Sequence, residues 1–290
     1  MLLKKILPQA LKNYLIGLET RFLMTSHRKA KRLIGDVDEH WRQRIDDVLA
    51  APDNEFISRH ASAGNLESAA ITMHNGVKVL ATSYYGSGIL NMLVENRGVH
   101  EPQEERAFEE IVSYLSPQCT MLELGSYWGF YSLSLLQSRP NAKCFLVEPR
   151  IRNLISGKLN FRLNNRKGHF TQALVAETPQ KNPKAISVDS FCHKHRINHL
   201  NILHADIQGA EAAMLMGAKK MLDQKLIDYV FISTHSNDLH QECLNILFEE
   251  NYTILVSVDL EETYSYDGLI VAKSKVDLPP STIIVSKKKH

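Results

Sequence analysis

The sequence has little of what would place it outside ordinary globular chemistry. Its 290 residues include four cysteines, two tryptophans and a formal net charge of only +2. Cys119, Cys144, Cys192 and Cys243 lie far apart and mostly in apolar runs. That argues against a disulfide framework and predicts reduced core residues in a cytoplasmic protein. No apolar run reaches the ~18 residues that a membrane-spanning helix needs. The basic start lacks a clean apolar stretch followed by a small-residue cleavage site, so neither secretion nor membrane insertion is expected. So small a net charge gives no case for nucleic acid as a partner of the whole molecule. Internal repeats and low-complexity segments are absent as well. What remains, at 44% hydrophobic and 23% charged, is a folded chain long enough for one large domain or a core with an extension.

The most informative stretch runs from Thr120 through Glu123, Leu124, Gly125, Ser126, Tyr127, Trp128 and Gly129 to Leu133. An apolar run ends in an acid, passes two glycines four apart and becomes a periodic apolar segment. This is the pattern of a strand, a tight turn and a helix, the opening unit of a nucleotide-binding α/β sheet. A third glycine is missing, and Tyr127, Trp128, Phe130 and Tyr131 would crowd a pyrophosphate while Glu123 repelled it. That disfavours an NAD-dependent oxidoreductase. A carboxylate beside the turn suits a cationic nucleoside without phosphates, which describes S-adenosylmethionine.

Residues 1–24 read as an amphipathic helix with Leu3, Ile6, Leu7, Leu11 and Leu18 on one face. The helix suits packing on the protein's own body; peripheral membrane contact and homodimer formation are further expectations for it. A second helix is expected from Asp36 to about Ala50, and a hairpin over 68–82 around His74-Asn75-Gly76. Residues 84–88 read as an aromatic loop. Alternating strands and helices from Glu101 to Lys273 predict a doubly wound, mostly parallel seven-stranded sheet with an antiparallel final hairpin. The expected division is 1–66 helical extension, 67–100 hairpin or cap region, 101–273 Rossmann-like domain and 274–290 peripheral tail.

Glu148 ends the second strand of that domain, roughly twenty residues beyond the glycine turn, and is expected to accept hydrogen bonds from a ribose diol. His204 and Asp206 end the fourth strand and His235 the fifth, so all three are expected at the same crevice. The sulfonium is already activated, so a base that takes an alcohol proton is the main requirement. His235 or His204 is the expected base, with Asp206 orienting it. His204, Asp206 and His235 could also hold a divalent ion. His240 is expected at the surface, and Cys192, His193, His195 and His199 on a polar helix.

Taken together, Glu101-Pro102, the run Glu123 to Ser132, Val147-Glu148-Pro149, Ser187-Val188-Asp189 and Asp206-Ile207-Gln208-Gly209-Ala210-Glu211 resemble, in order, the FkbM family of S-adenosylmethionine-dependent methyltransferases. The resemblance covers about Glu101 to Lys273. It departs at Glu123-Leu124-Gly125-Ser126-Tyr127, where the family more often has Asp-hydrophobic-Gly-Ala-Asn. It implies a class I methyltransferase fold and O-methyl transfer to a hydroxyl of a sugar, glycan or small secondary metabolite. The cofactor set then expected is Glu101, Glu123, Gly125, Ser126, Gly129, Tyr131, Glu148, Pro149, Asp206 and Glu211. A non-catalytic binding module with the same fold is the alternative outside enzymes. A nucleic-acid methyltransferase is disfavoured, since no Asn-Pro-Pro-aromatic or Asp-Pro-Pro-aromatic block stands at the fourth strand.

Overall fold

The computed structural model describes residues 32, 34–35, 37–84 and 86–289. The helix expected over 1–24 lies outside these residues, as does Asp36. Helix α1 (Glu39–Ala50) begins where the Asp38 carboxylate accepts a hydrogen bond from Trp41 N at 2.9 Å. The expected hairpin is present. Strands β2 (Ala70–Thr72) and β3 (Lys78–Leu80) pair antiparallel, and β1 (Leu66–Glu67) adds a third strand beside β2. Residues 86–88, expected as loop, lead instead into helix α2 (Gly88–Glu95). Gly88 has a packing reason rather than a turn reason: a β-carbon there would stand 1.9 Å from the Trp41 ring of α1.

The main body follows in chain order as α3 (Pro102–Tyr114), β4 (Thr120–Leu124), α4 (Phe130–Ser138), β5 (Lys143–Val147), α5 (Ile151–Leu163) and β6 (His169–Thr171). After the short strands β7 (Leu174–Val175) and β8 (Ala185–Ile186) come α6 (Val188–His195), β9 (Leu200–Ala205), α7 (Glu211–Met216) and α8 (Lys219–Asp223). Strand β10 (Ile227–Thr234), α9 (Asn237–Glu249), β11 (Thr253–Val258) and β12 (Gly268–Lys273) complete it. Seven strands form one sheet in the order β11-β12-β10-β9-β4-β5-β6. Only β12 runs against its neighbours. The strands are apolar on both faces: Met121 and Ile202 enter one buried cluster, Leu122 and Leu203 the other. Strand order reverses at β4, between β9 and β5, so ligand chemistry belongs at the carboxyl ends of these three strands.

Two expected elements are broken. The third strand splits into β6 and β7, and the helix expected over 209–224 splits into α7 and α8 at Gly217, where a β-carbon would press on the carbonyls of Ala176 and Glu177 at 2.8 and 2.9 Å. The tail beyond Lys273 is not peripheral. The buried Lys273 ammonium donates to the carbonyls of Val276, Leu278 and Pro280, and Ser286 N donates to Asp53 Oδ2 at 3.0 Å. All four cysteines are buried and unpaired, as expected. Among the described residues no helix is long and apolar enough to cross a membrane.

A buried ionic group joins the hairpin to α3. Glu105 Oε2 lies 2.6 Å from His74 Nδ1, and Glu105 Oε1 lies 2.6 Å from His100 Nδ1. Burial alone would lower both imidazoles, but it is outweighed by Glu105 at His74 and by Glu101 followed by Glu105 at His100, which lift each from 6.5 to about 9. Burial would raise Glu105, yet the two histidines hold it well below the carboxylate range. The histidine contribution to stability is therefore complete below pH 6.5 and lost as pH rises through about 9. The Glu105 contribution is complete above 4.5 and lost as pH falls below that. Urea midpoints of the wild type are thus expected to fall between pH 6.5 and 9.5, over the range bracketing the raised value of about 9. Glu105→Gln should cost about 3–5 kcal/mol at pH 7 and should show a shallower downward trend. A variant that tracked the wild type across the range would refute the assignment.

Candidate active site

The turn after β4 depends on its glycines. Gly125 has φ +72°, and a β-carbon there would stand 1.6 Å from the Asp206 carbonyl oxygen. Gly125 N and Ser126 N both donate to Val147 O, at 2.9 and 3.1 Å, and Asp206 N donates to Leu124 O at 3.0 Å. The ends of β5, β4 and β9 are thereby knitted into one rim. Gly129, at φ +76°, starts α4 with no side-chain cap. The missing cap is supplied by Glu123, which accepts from Ser132 N at 3.1 Å and is 3% exposed. This corrects the expectation that Glu123 faces a cationic ligand: burial raises its carboxyl, and its side chain serves the helix. Three of the four aromatic residues of the turn are turned into the core, and Tyr127 is half-buried. Trp128 and Phe130 stack on each other in the core, and Tyr131 is buried.

Glu148, at the end of β5, accepts from Tyr127 N (3.1 Å), Arg150 N (2.8 Å) and Asn153 Nδ2 (3.2 Å). Burial raises its carboxyl in spite of these donors. An ionised carboxylate has about four acceptor positions, so one is left for a ligand. The Pro149 carbonyl accepts from Gln172 Nε2 at 3.1 Å and so shapes the neighbouring loop.

Two further acids leave the first turn of α3, Glu101 toward α4 and Glu104 toward the sheet. Glu101 Oε2 accepts from Tyr131 Oη at 2.7 Å and lies 3.4 Å from His100 Nε2. Burial pushes Glu101 up to about 7, against the pull of His100, and the Glu104 charge adds to it. Glu104 Oε1 lies 2.7 Å from His204 Nε2, and its Oε2 accepts from Ser233 Oγ at 3.1 Å. His204 is 3% exposed and packs on the Tyr131 ring. Burial would lower this imidazole, but the bond to Glu104 outweighs it and raises the value. The sequence groups His204 with Asp206 and His235; the structure separates it from them. His204 lies within the ladder under α3, while Asp206 lies beyond the strand end.

Asp206 and His235 do meet. His235 Nε2 is 3.2 Å from Asp206 Oδ1 and 3.5 Å from Asp267 Oδ1. Its Nδ1 is 2.9 Å from Oε1 of the fully buried Glu211, which also accepts from Ile207 N and Gly209 N. Gln208 places its amide 2.7 Å from His235 Nε2 and 3.0 Å from Asp206 Oδ1. Burial opposes the charge on His235, but Asp206, Glu211 and Asp267 outweigh it and lift the imidazole to about 10. These charges favour the protonated imidazole, which counts against His235 as the expected base. Burial first, then the Asp206 charge, pushes Asp267 up to about 6. Asp206, His235 and Asp267 offer ligand atoms within 4.8 Å of one another and could hold a metal ion. The third member is Asp267 rather than the expected His204. Asp267 is hidden in the sequence because Asp-Gly before a strand reads as turn chemistry.

His240, expected at the surface, is buried between Thr234 Oγ1 (2.8 Å) and Ser257 Oγ (2.9 Å). Cys192 and His195 pack within and beside α6, and His199 pairs with Asp228 at 3.0 Å. A cleft of about 260 Å³ opens beside the rim, lined among others by Arg44, His100, Glu101, Tyr266 and Asp267. Helix α1 thus forms a wall of the crevice, a role no motif in the extension announces.

The sheet order, the glycine turn at its reversal point and the acids at the strand ends define a Rossmann-like fold of the class I methyltransferase type. Residues 139–254 match the family model described as the methyltransferase FkbM domain, which supports a methyltransferase that uses S-adenosylmethionine. No curated protein matches the chain. Among solved structures, precorrin-6y C5,15-methyltransferase from Geobacter metallireducens is 13% identical over 58% of this chain and 87% of its own, with a TM-score of 0.42. M. capricolum TrmK in complex with S-adenosylhomocysteine is 12% identical over 58% and 68%, with a TM-score of 0.42. Pyrococcus abyssi tRNA (uracil-54, C5)-methyltransferase is 13% identical over 70% and 43%, with a TM-score of 0.43. Likeness at this level says nothing of the acceptor.

Proposed function

We propose that the methyl group is transferred to a hydroxyl of a sugar or small metabolite held in the cleft between α1 and the sheet rim. The observation that carries this reading is Glu101: a carboxyl held near 7, lining a polar cleft at the carboxyl ends of the strands. A base with a value near the working pH is what removal of an alcohol proton requires. Bound S-adenosylmethionine supplies an activated methyl, which leaves alignment and proton removal to the protein.

Glu148 has the acceptor position for a ribose hydroxyl, and the bare backbone at Gly125 leaves room for close approach at the turn. Glu101 takes the acceptor proton at Oε1 while Tyr131 holds Oε2. His204, fixed by Glu104, supports the Tyr131 ring and acts as a positioning residue. A divalent ion would be held by Asp206, His235 and Asp267, with Glu211 orienting the imidazole from behind. Such an ion would polarise the acceptor oxygen.

With methyl-¹³C-labelled cofactor and hydroxylated small-molecule pools, the product carbon shift is expected to be that of a methyl ether. A label found only on nitrogen, sulfur or carbon would overturn the reading. In calorimetry, Glu148→Ala should weaken S-adenosylhomocysteine by about 1–3 kcal/mol, whereas Glu101→Gln should keep that affinity and lose turnover. Equal turnover in Glu101→Gln would remove the base assignment. Manganese added to chelator-treated protein should give one bound-ion signal by electron paramagnetic resonance. That signal should vanish in Asp267→Asn and persist in Glu101→Gln, and its persistence in folded Asp267→Asn would exclude the ion site.

A further inference from the structure

Arg44 stands out among the described arginines near the cleft. Its guanidinium carbon lies 4.3 Å from the ring centroid of Trp41 and 4.3 Å from that of Tyr266, so aromatic faces bracket it. Stacking of this kind covers the flat faces of the guanidinium and leaves its in-plane N–H donors at the edge. Two residues earlier, Arg42 donates to both oxygens of Glu95. Arg106 pairs with Asp53 at 2.8 Å, and Arg59 donates to Ile57 O and Asn54 Oδ1. Arg44 makes no hydrogen bond or ion pair to any described residue, although Glu101 and Asp267 line the same cleft. Burial lowers its value from the ordinary arginine range, although the charges of Asp267 and Glu101 oppose the shift, as expected for a cation drawn from water with charges nearby but no bonded partner.

We propose that Arg44 is a specificity-determining residue, and that the hydroxylated acceptor carries an anionic group, a carboxylate or a phosphate, which the Arg44 edge receives. This rests on the reading of the cleft as the acceptor site. The planar fork matches either anion with two parallel hydrogen bonds, and both would supply the bonded partner that Asp267 and Glu101, which act on Arg44 only through their charge, do not. Held there, the acceptor spans from α1 toward Glu101 and the rim. The aromatic bracket fixes the guanidinium before the acceptor arrives, so little side-chain freedom is lost on binding.

The test uses protein saturated with S-adenosylhomocysteine and three probes: glucuronate, glucose 6-phosphate and neutral glucose. The Arg44 Nε–Hε resonance, assigned by its loss in Arg44→Lys, is expected to move with one or both anions and not with glucose. The stronger of the two identifies the anionic group. Arg44→Gln should weaken binding of that anion by about tenfold or more while S-adenosylhomocysteine affinity stays at the wild-type value. Glucose binding as tightly as the acids, no resonance shift with either acid, or undiminished acid binding in Arg44→Gln would each overturn the proposal. Failure of S-adenosylhomocysteine itself to bind would instead strike at the methyl-transfer reading.

Discussion

One turn of helix holds the molecule together. Between residues 101 and 106, five side chains leave the start of α3 toward eight partners: Glu101 to Tyr131, Gln103 to Thr263 and the Ser286 carbonyl, Glu104 to His204 and Ser233, Glu105 to His74 and His100, Arg106 to Asp53. Successive helical residues point about 100° apart, so six in a row reach every direction. Pro102 sits at the first helical position, where no amide is missed, and the acids lie at the positive end of the helix dipole. Hairpin, sheet, tail and cleft are thus located by one element.

Much of the frame was legible in the residues. Two glycines four apart, an acid closing each neighbouring strand and the switch between periods of two and 3.6 located the turn, the rim and Glu148. Direction was not legible. Glu123 and His204 stand level with each other on adjacent strands, yet Glu123 turns to the start of α4 and His204 to Glu104 of α3. Nothing local to them distinguishes those directions from a ligand-bearing rim. Asp267 was masked by its own turn dipeptide, and Arg44 by its place in an extension that carries no motif. Long-range contact decided each case.

The rim also shows how neighbouring acids come to differ. Glu148 and Glu211 accept backbone amides, Glu104 and Glu105 have histidine partners, and Asp267 and Glu101 are left with partial compensation at the cleft. The two with raised values near neutrality are the two that line open space. Burial and pairing, rather than residue type, separate structural carboxylates from those able to exchange a proton.

Strand β12 lies between β10 and β11 and runs against both. Strand β11 precedes it in the chain, yet has no place in the sheet until β12 has formed. Asp267 and Tyr266, immediately before β12, reach the cleft only at that step. During synthesis from the N-terminus, a chain that has emerged as far as β11 can hold the glycine turn and the strand-four rim but not a finished cleft. Until β12 is paired, the crevice lacks the wall that Tyr266 and Asp267 give it.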